Sequence, residues 1–378
     1  MNFFSLEGLW VALALAAAQS LLPTCAIAGP QDAPSPDPSS WTDIWCLPWW
    51  GCGSTTFGGS GSDQPLPGSW TKSTYRSPEG LGQRDYYVYI PANRPQASAN
   101  GALPLVLALH GCMEDVPTFA VETGLNQIAE KYGFVVAYPE ESSDANSMLC
   151  WNWFDSGNSL RGSGEIAIAA GIVQEVSTQI QIDTNQVFAV GFSSGGAMAS
   201  NLISCYSDIF AGGMIHSGLE FRAATTAGDS MTTMESGSSL SPSRSGALAA
   251  QCAGNAAKLE TVMILHGDQD VVVDPVNSKQ ILEQFTRMND GLDDGSVDGS
   301  QTTKILDSRR LNVPNGYPYR VDSYGGQGGI HIMNVTVEGM GHAWSGAHQA
   351  SNYADPAGPD AGEMMWLFLS QATNRPGR

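Results

Sequence analysis

Beyond Arg84 the apolar positions fall into short blocks set between longer amphipathic stretches. Tyr86–Ile90 and Leu103–Leu109 open the series, and the unbroken apolar character of the second predicts a strand buried on both faces. Thr118–Tyr132 reads as a helix leading into a strand at Phe134–Tyr138, and Glu165–Ile180 as a helix leading into a strand at Val187–Val190. Further strands are predicted at Ala211–His216, Thr261–Leu265 and Ile332–Val337, with a closing apolar segment at Met364–Leu369. Because strands and helices alternate, the pattern predicts an α/β architecture, a mostly parallel central sheet with helices on both faces. Two stretches interrupt it: Arg222–Ala250, full of Ser, Thr, Ala and Gly, and Asp290–Gln301, rich in Asp and Gly. Both are expected to be surface insertions. The acidic residues of the second do not fall at EF-hand positions and no Glu closes the loop, so it reads as solvated rather than calcium-binding.

The chain before this series has a different texture. Residues 1–28 carry the apolar run Leu9–Ala18 and then Ala26-Ile27-Ala28, the small-x-small pattern of a signal peptide cleaved after Ala28, although no Lys or Arg precedes the run. Residues 29–71 are rich in Pro, Gly and Ser and read as a linker, interrupted by a segment with Trp41, Trp45, Trp49 and Trp50 around Cys46 and Cys52. That segment is either a strap on the main domain or an exposed aromatic patch for adsorption. Residues 72–378 are left as one catalytic domain.

Charge narrows the partners. The formal net charge is −20, from 37 acidic against 17 basic residues, which opposes attraction to nucleic acid or to anionic membranes. Once the signal is cleaved, no membrane partner is expected, and the oligomeric state is open. Six of the seven cysteines lie past residue 28: Cys46, Cys52, Cys112, Cys150, Cys205 and Cys252. An even number in an exported chain suggests disulfides, and local pairing would join Cys46 to Cys52, Cys112 to Cys150 and Cys205 to Cys252. None of them has zinc-site spacing, so neither metal nor cofactor is expected.

Candidate chemistry centres on Gly191-Phe-Ser193-Ser-Gly195, between a predicted strand and a small-residue helix. Strand, sharp turn and helix are the context of a nucleophile elbow and point to the α/β-hydrolase fold, in which an acid and then a histidine follow the nucleophile along the chain. Of six histidines, only His342 and His348 follow the last predicted strand, and His342 lies in the tight segment Gly339–Trp344. His110, His216, His266 and His331 sit at or beside strand ends and read as structural. Asp270 is the preferred orienting acid, with Asp268 and Asp274 as rivals on the same loop. His110-Gly111-Cys112 follows the early strand where this fold supplies an oxyanion-hole amide, so the N–H groups of Cys112 and Ser194 are the candidate donors. Trp151, Trp153 and Trp344 are candidate acyl-chain contacts, with core packing as the alternative.

The segments Leu109-His-Gly-Cys112, Cys150-Trp-Asn-Trp153, Gly191-Phe-Ser-Ser-Gly-Gly-Ala-Met198, His266-Gly-x-x-Asp270 and Gly339-Met-Gly-His-Ala-Trp344 together resemble the polyhydroxybutyrate depolymerase esterase family, in consistent order from about Tyr75 to Leu369. The resemblance implies an extracellular carboxylic-ester hydrolase using Ser193, Asp270 and His342. Its substrate would be a short-chain polyhydroxyalkanoate or, as in other members, feruloyl or acetyl esters of plant polysaccharide. A non-catalytic adhesion or carbohydrate-binding protein is the reading from another class, opposed by the intact triad. Phe192 stands where many relatives carry an aliphatic residue. The C-terminal binding domain common in secreted depolymerases is expected to be missing, so efficient attack on crystalline polymer is expected only if the N-terminal Trp-rich segment substitutes for it.

Overall fold

The computed structural model describes residues 66–94, 100–254, 258–326 and 329–372. By compactness the chain divides between Asp63 and Gln64, and all described residues belong to the second unit. The expected signal peptide, the Trp-rich segment and the Cys46–Cys52 pairing lie outside the described residues.

The buried apolar runs become the middle of one large sheet. β3 (Leu103–Leu109), β4 (Val135–Pro139), β6 (Gly212–His216) and β7 (Thr261–Gly267) are buried at every position, as strands covered on both faces must be. With β5 (Ile182–Phe192) and β10 (Gly329–Val337) they form a parallel core. Antiparallel strands extend it at both edges: β1 (Ser69–Arg76) and β2 (Gln83–Ile90) on one side, β8 (Gln301–Asn312) and β9 (Pro318–Gly326) on the other. The full order is β1-β2-β4-β3-β5-β6-β7-β10-β9-β8. β1 begins at Ser69, ahead of the expected boundary at residue 72.

The helical pattern departs from expectation in two places. The single helix expected over 118–132 is two, α1 (Val116–Thr123) and α2 (Leu125–Tyr132), broken at Gly124. Gly124 has φ +64°, and a Cβ there would lie 2.3 Å from the His348 ring, so the left-handed turn and the close approach both require glycine. The 222–250 stretch is not a bare insertion: it holds α5 (Ala227–Ser236), capped by the Thr226 hydroxyl, and α6 (Pro242–Ala253), opened by proline. Its small residues permit close packing; a Cβ at Gly246 would lie 2.7 Å from the carbonyl of Gln284 in α7 (Val276–Leu292). Asp290, read as part of an acidic loop, lies in α7 and accepts hydrogen bonds from the Gly299 and Gln301 amides and the Ser300 hydroxyl, closing the turn into β8. The remaining helices are α3 (Gly164–Gln179), α4 (Ser194–Cys205) and α8 (Ala361–Leu369). Disulfides join Cys112 to Cys150 and Cys205 to Cys252.

Candidate active site

In a parallel sheet every strand delivers its C-terminal end to the same edge, where loops collect side chains that are distant in sequence. β3, β5, β7 and β10 end here at Leu109, Phe192, Gly267 and Val337. Ser193 follows β5 directly, at φ +54° and ψ −118°, a conformation L-residues rarely adopt. Its neighbours must be glycine: a Cβ on Gly191 would lie 2.1 Å from the Gly195 carbonyl oxygen, and one on Gly195 would lie 2.2 Å from that of Leu109. Close packing thus presents Ser193 at the N-terminus of α4, where the helix dipole favours negative charge.

The structure brings Ser193, His342 and Asp270 together. His342 Nε2 lies 3.0 Å from Ser193 Oγ, and His342 Nδ1 lies 2.8 Å from Asp270 Oδ2. An ionised carboxylate only accepts, so Nδ1 carries the proton and Nε2 is free to accept from the serine hydroxyl. Asp270 Oδ1 accepts from the Val272 and Val273 amides, and Oδ2 also lies 3.3 Å from His266 Nε2. Burial pushes the Asp270 carboxyl up, but its bonds to His266 and His342 outweigh this and hold it well below the usual carboxylate range.

The rival residues have other partners. Asp268 accepts from the Gly339 amide and ties the β7 and β10 loops together, while Asp274 accepts from the Val276 amide at the start of α7. The His348 ring lies over Gly124, with its Nε2 3.8 Å from Asp360 Oδ2. The remaining strand-end histidines hold loops. His266 Nε2 donates to the Val273 carbonyl. His216 Nε2 accepts from the Ser345 amide, and its ring stacks on Trp344 at 5.1 Å; burial, with the nearby His266 and His342, keeps its pKa well below the ordinary value. Phe192 packs at 4.9 Å from the His342 ring, so this departure from an aliphatic residue supports the imidazole.

The amides of Cys112, on the loop after β3, and of Ser194, at the start of α4, have no hydrogen-bond partner among the described residues. His110 Nε2 accepts from the Glu141 amide, which leaves Nδ1–H to donate to the Gly111 carbonyl at 2.7 Å, and burial lowers the His110 pKa. Glu114, which sequence reasoning missed, is buried and accepts from the Gly111 amide at 2.6 Å. Its place five residues past a buried strand carries no signal beyond ordinary loop chemistry.

For the tryptophans the structure favours core packing, the alternative to acyl-chain contact. Trp151, Trp153 and Trp344 are all at most 3% exposed. Trp151 lies against the His110 ring, Trp153 against Phe154, and Trp344 edge-on to Phe119, so they support the loops from beneath instead of facing a ligand. The exposed apolar residues on the site loops are Met113, beside Cys112, its partner Met148, and Val271 and Val272 after Asp270.

Comparison with known proteins gives a consistent picture. The profile of the family described as Esterase PHB depolymerase matches residues 85–305. Poly(3-hydroxyalkanoate) depolymerase C of Paucimonas lemoignei is 30% identical over 263 residues, covering 69% of this chain and 58% of that protein. Feruloyl esterase B of Thermothelomyces thermophilus is 29% identical over 218 residues, covering 53% of this chain and 69% of that protein. The chain therefore spans little more than half the length of the depolymerase. Among solved structures, an acetyl xylan esterase from Aspergillus awamori superposes with a TM-score of 0.60 at 21% identity, over 73% of this chain and 94% of that one, a likeness of fold.

Proposed function

Since this chain belongs to the Esterase PHB depolymerase family, we propose that it hydrolyses short-chain poly(3-hydroxyalkanoate) polyester or its oligomers through an acyl-Ser193 intermediate. The observation that carries the reading is the continuous chain from Ser193 Oγ through His342 to Asp270, at 3.0 and 2.8 Å. Ser193 Oγ attacks the ester carbonyl as its proton passes to His342 Nε2. The carbonyl oxygen becomes an oxyanion held by the Cys112 and Ser194 amides. Collapse expels the alcohol, which takes the proton from His342. Water then attacks the acyl-serine with His342 as base, the acid leaves, and Ser193 regains its proton. Asp270 holds the imidazole tautomer and stabilises the imidazolium.

Two features favour aliphatic polyester over polysaccharide esters. The loops bearing Cys112, its disulfide partner Cys150 and Asp270 expose Met113, Met148, Val271 and Val272, and Val271 is 90% exposed, a rim suited to an apolar chain. Among the described residues, the site-loop tryptophans Trp151, Trp153 and Trp344 are buried and present no face to a sugar ring. Export belongs to the same reading: disulfides suit an oxidising compartment, and among the described residues no helix is long and apolar enough to cross a membrane. N-terminal sequencing of secreted protein should begin at Gly29.

The deciding experiment is product release from amorphous polyhydroxybutyrate, with Ser193→Ala and methyl ferulate as controls. Hydroxybutyrate released by the wild type alone supports the reading. Release of ferulate without hydroxybutyrate would move the substrate to polysaccharide esters.

A further inference from the structure

Gly111, in the loop after β3, is closely surrounded. A Cβ there would lie 2.7 Å from Glu114 Oε2, 3.0 Å from Phe192 Cδ1 and 3.4 Å from Ser193 Cβ, so any side chain would press on the Glu114 carboxyl that holds the loop. Glycine is also the residue least able to hold a backbone direction by itself. Two side chains grip it from either side. Glu114 Oε2 accepts from its amide at 2.6 Å, and His110 Nδ1–H donates to its carbonyl at 2.7 Å. The Gly111 carbonyl belongs to the same planar trans peptide as the Cys112 N–H, so fixing one fixes the other in the opposite direction.

We propose that Glu114 is a positioning residue for the reaction: by clamping the Gly111 amide it sets, together with His110, the direction in which the Cys112 N–H meets the oxyanion. The inference rests on the ester-hydrolase reading of the same site. Glu114 does not touch the substrate; it acts through the backbone. Its own surroundings are acidic, with Asp115 and Glu122 from its own segment. It also lines a cavity of about 540 Å³ shared with Arg84, Asp85, Glu140, Glu141 and Asp144. Arg84 is committed to Glu141 and Glu165. Burial, reinforced by Glu122 and Asp115 against the Gly111 bond, pushes the Glu114 carboxyl up to about 8. At neutral pH it therefore grips Gly111 through an uncharged carboxyl and adds no negative charge beside the developing oxyanion. Above that pH the carboxylate opposes the oxyanion, and turnover falls.

The test is steady-state hydrolysis of p-nitrophenyl butyrate by wild type, Glu114→Gln and Glu114→Ala across neutral and alkaline pH. Glutamine keeps the acceptor without the charge, so its kcat at neutral pH should stay within about 3-fold of wild type and lose the alkaline fall. Alanine should lower kcat by about 10- to 100-fold with KM within about 3-fold, since an oxyanion donor acts in the transition state. The inference is overturned by an alanine variant with wild-type kcat, by a folded glutamine variant as slow as alanine, or by an alkaline fall that is absent from wild type or survives in glutamine. If alanine does not fold, the glutamine pH profile decides alone. A wild type that hydrolyses no ester refutes the function itself; an active wild type with an indifferent Glu114 refutes only this inference.

Discussion

Replacing Asp270 by asparagine changes one atom, and the structure dictates which way the new amide must face. Oδ1 accepts two backbone amides, from Val272 at 2.9 Å and Val273 at 2.8 Å. The backbone N–H donors cannot change, whereas the His342 ring can shift its tautomer, so the amide oxygen stays with Val272 and Val273 and the NH2 faces His342 Nδ1. His342 Nδ1 must then accept, which moves the ring proton to Nε2, the atom 3.0 Å from Ser193 Oγ. A protonated Nε2 cannot take the serine proton. The corresponding change in a well-characterised triad costs about 10⁴ in turnover, or roughly 5 kcal/mol of barrier. The same loss of kcat is predicted here, with KM little changed and the far-ultraviolet circular dichroism intact. The assay is initial-rate hydrolysis of p-nitrophenyl butyrate at neutral pH beside thermal melts. An Asp270→Asn variant within about tenfold of the wild-type kcat would refute the tautomer argument.

Glu220 is 1% exposed with both carboxylate oxygens buried and unpartnered, while the nearby Ser238 and Ser245 hydroxyls donate to the Ala223 and Phe221 carbonyls. Burial pushes its pKa from 4.5 up to about 8, so its stabilising contribution is full below 4.5 and is lost as pH rises to about 8, for a total of roughly 3–5 kcal/mol. Glu220→Gln should remove one proton's worth of the slope of unfolding free energy against pH, and urea midpoints at pH 5 and 8 that shift in parallel for both proteins would contradict this. The Cys205–Cys252 bridge closes a loop with a sequence separation of 47, so the double serine variant should lose about 2–4 kcal/mol of stability in denaturant titrations while kcat stays near wild type. A large loss of kcat without a loss of stability would place that bridge in the chemistry instead.

How far the sequence spoke depended on how strongly each segment had to be apolar. β3, buried at all of its positions, and the chain order of Ser193, Asp270 and His342 were legible because central strands and the elbow tolerate few residue types. β8 and β9 escaped notice. β8 is an edge strand whose Lys304, Asp307, Arg309 and Arg310 belong in water, so its composition imitates a loop. The helices α5 and α6 were hidden by Ser, Gly and Ala, which pack closely but leave a weak amphipathic pattern. The break at Gly124 was invisible because its cause is the ring of His348, more than two hundred residues away in the chain. In the site, chain order left His342 and His348 and the tight segment Gly339–Trp344 favoured His342, whereas burial alone revealed that Trp151, Trp153 and Trp344 face inward. Glu114 was illegible for a similar reason: its role lies in a bond to a backbone amide, and no residue pattern records it.

The central claim is that Ser193 is a nucleophile activated by His342. The measurement that tests it most directly is reaction of the purified chain with a fluorophosphonate probe, followed by peptide mass mapping and repeated on Ser193→Ala and His342→Ala. The account predicts a single adduct on the peptide containing Ser193, absent from Ser193→Ala and formed at least about 100-fold more slowly by His342→Ala. An adduct on another residue, or labelling of Ser193 at an undiminished rate without His342, would contradict it.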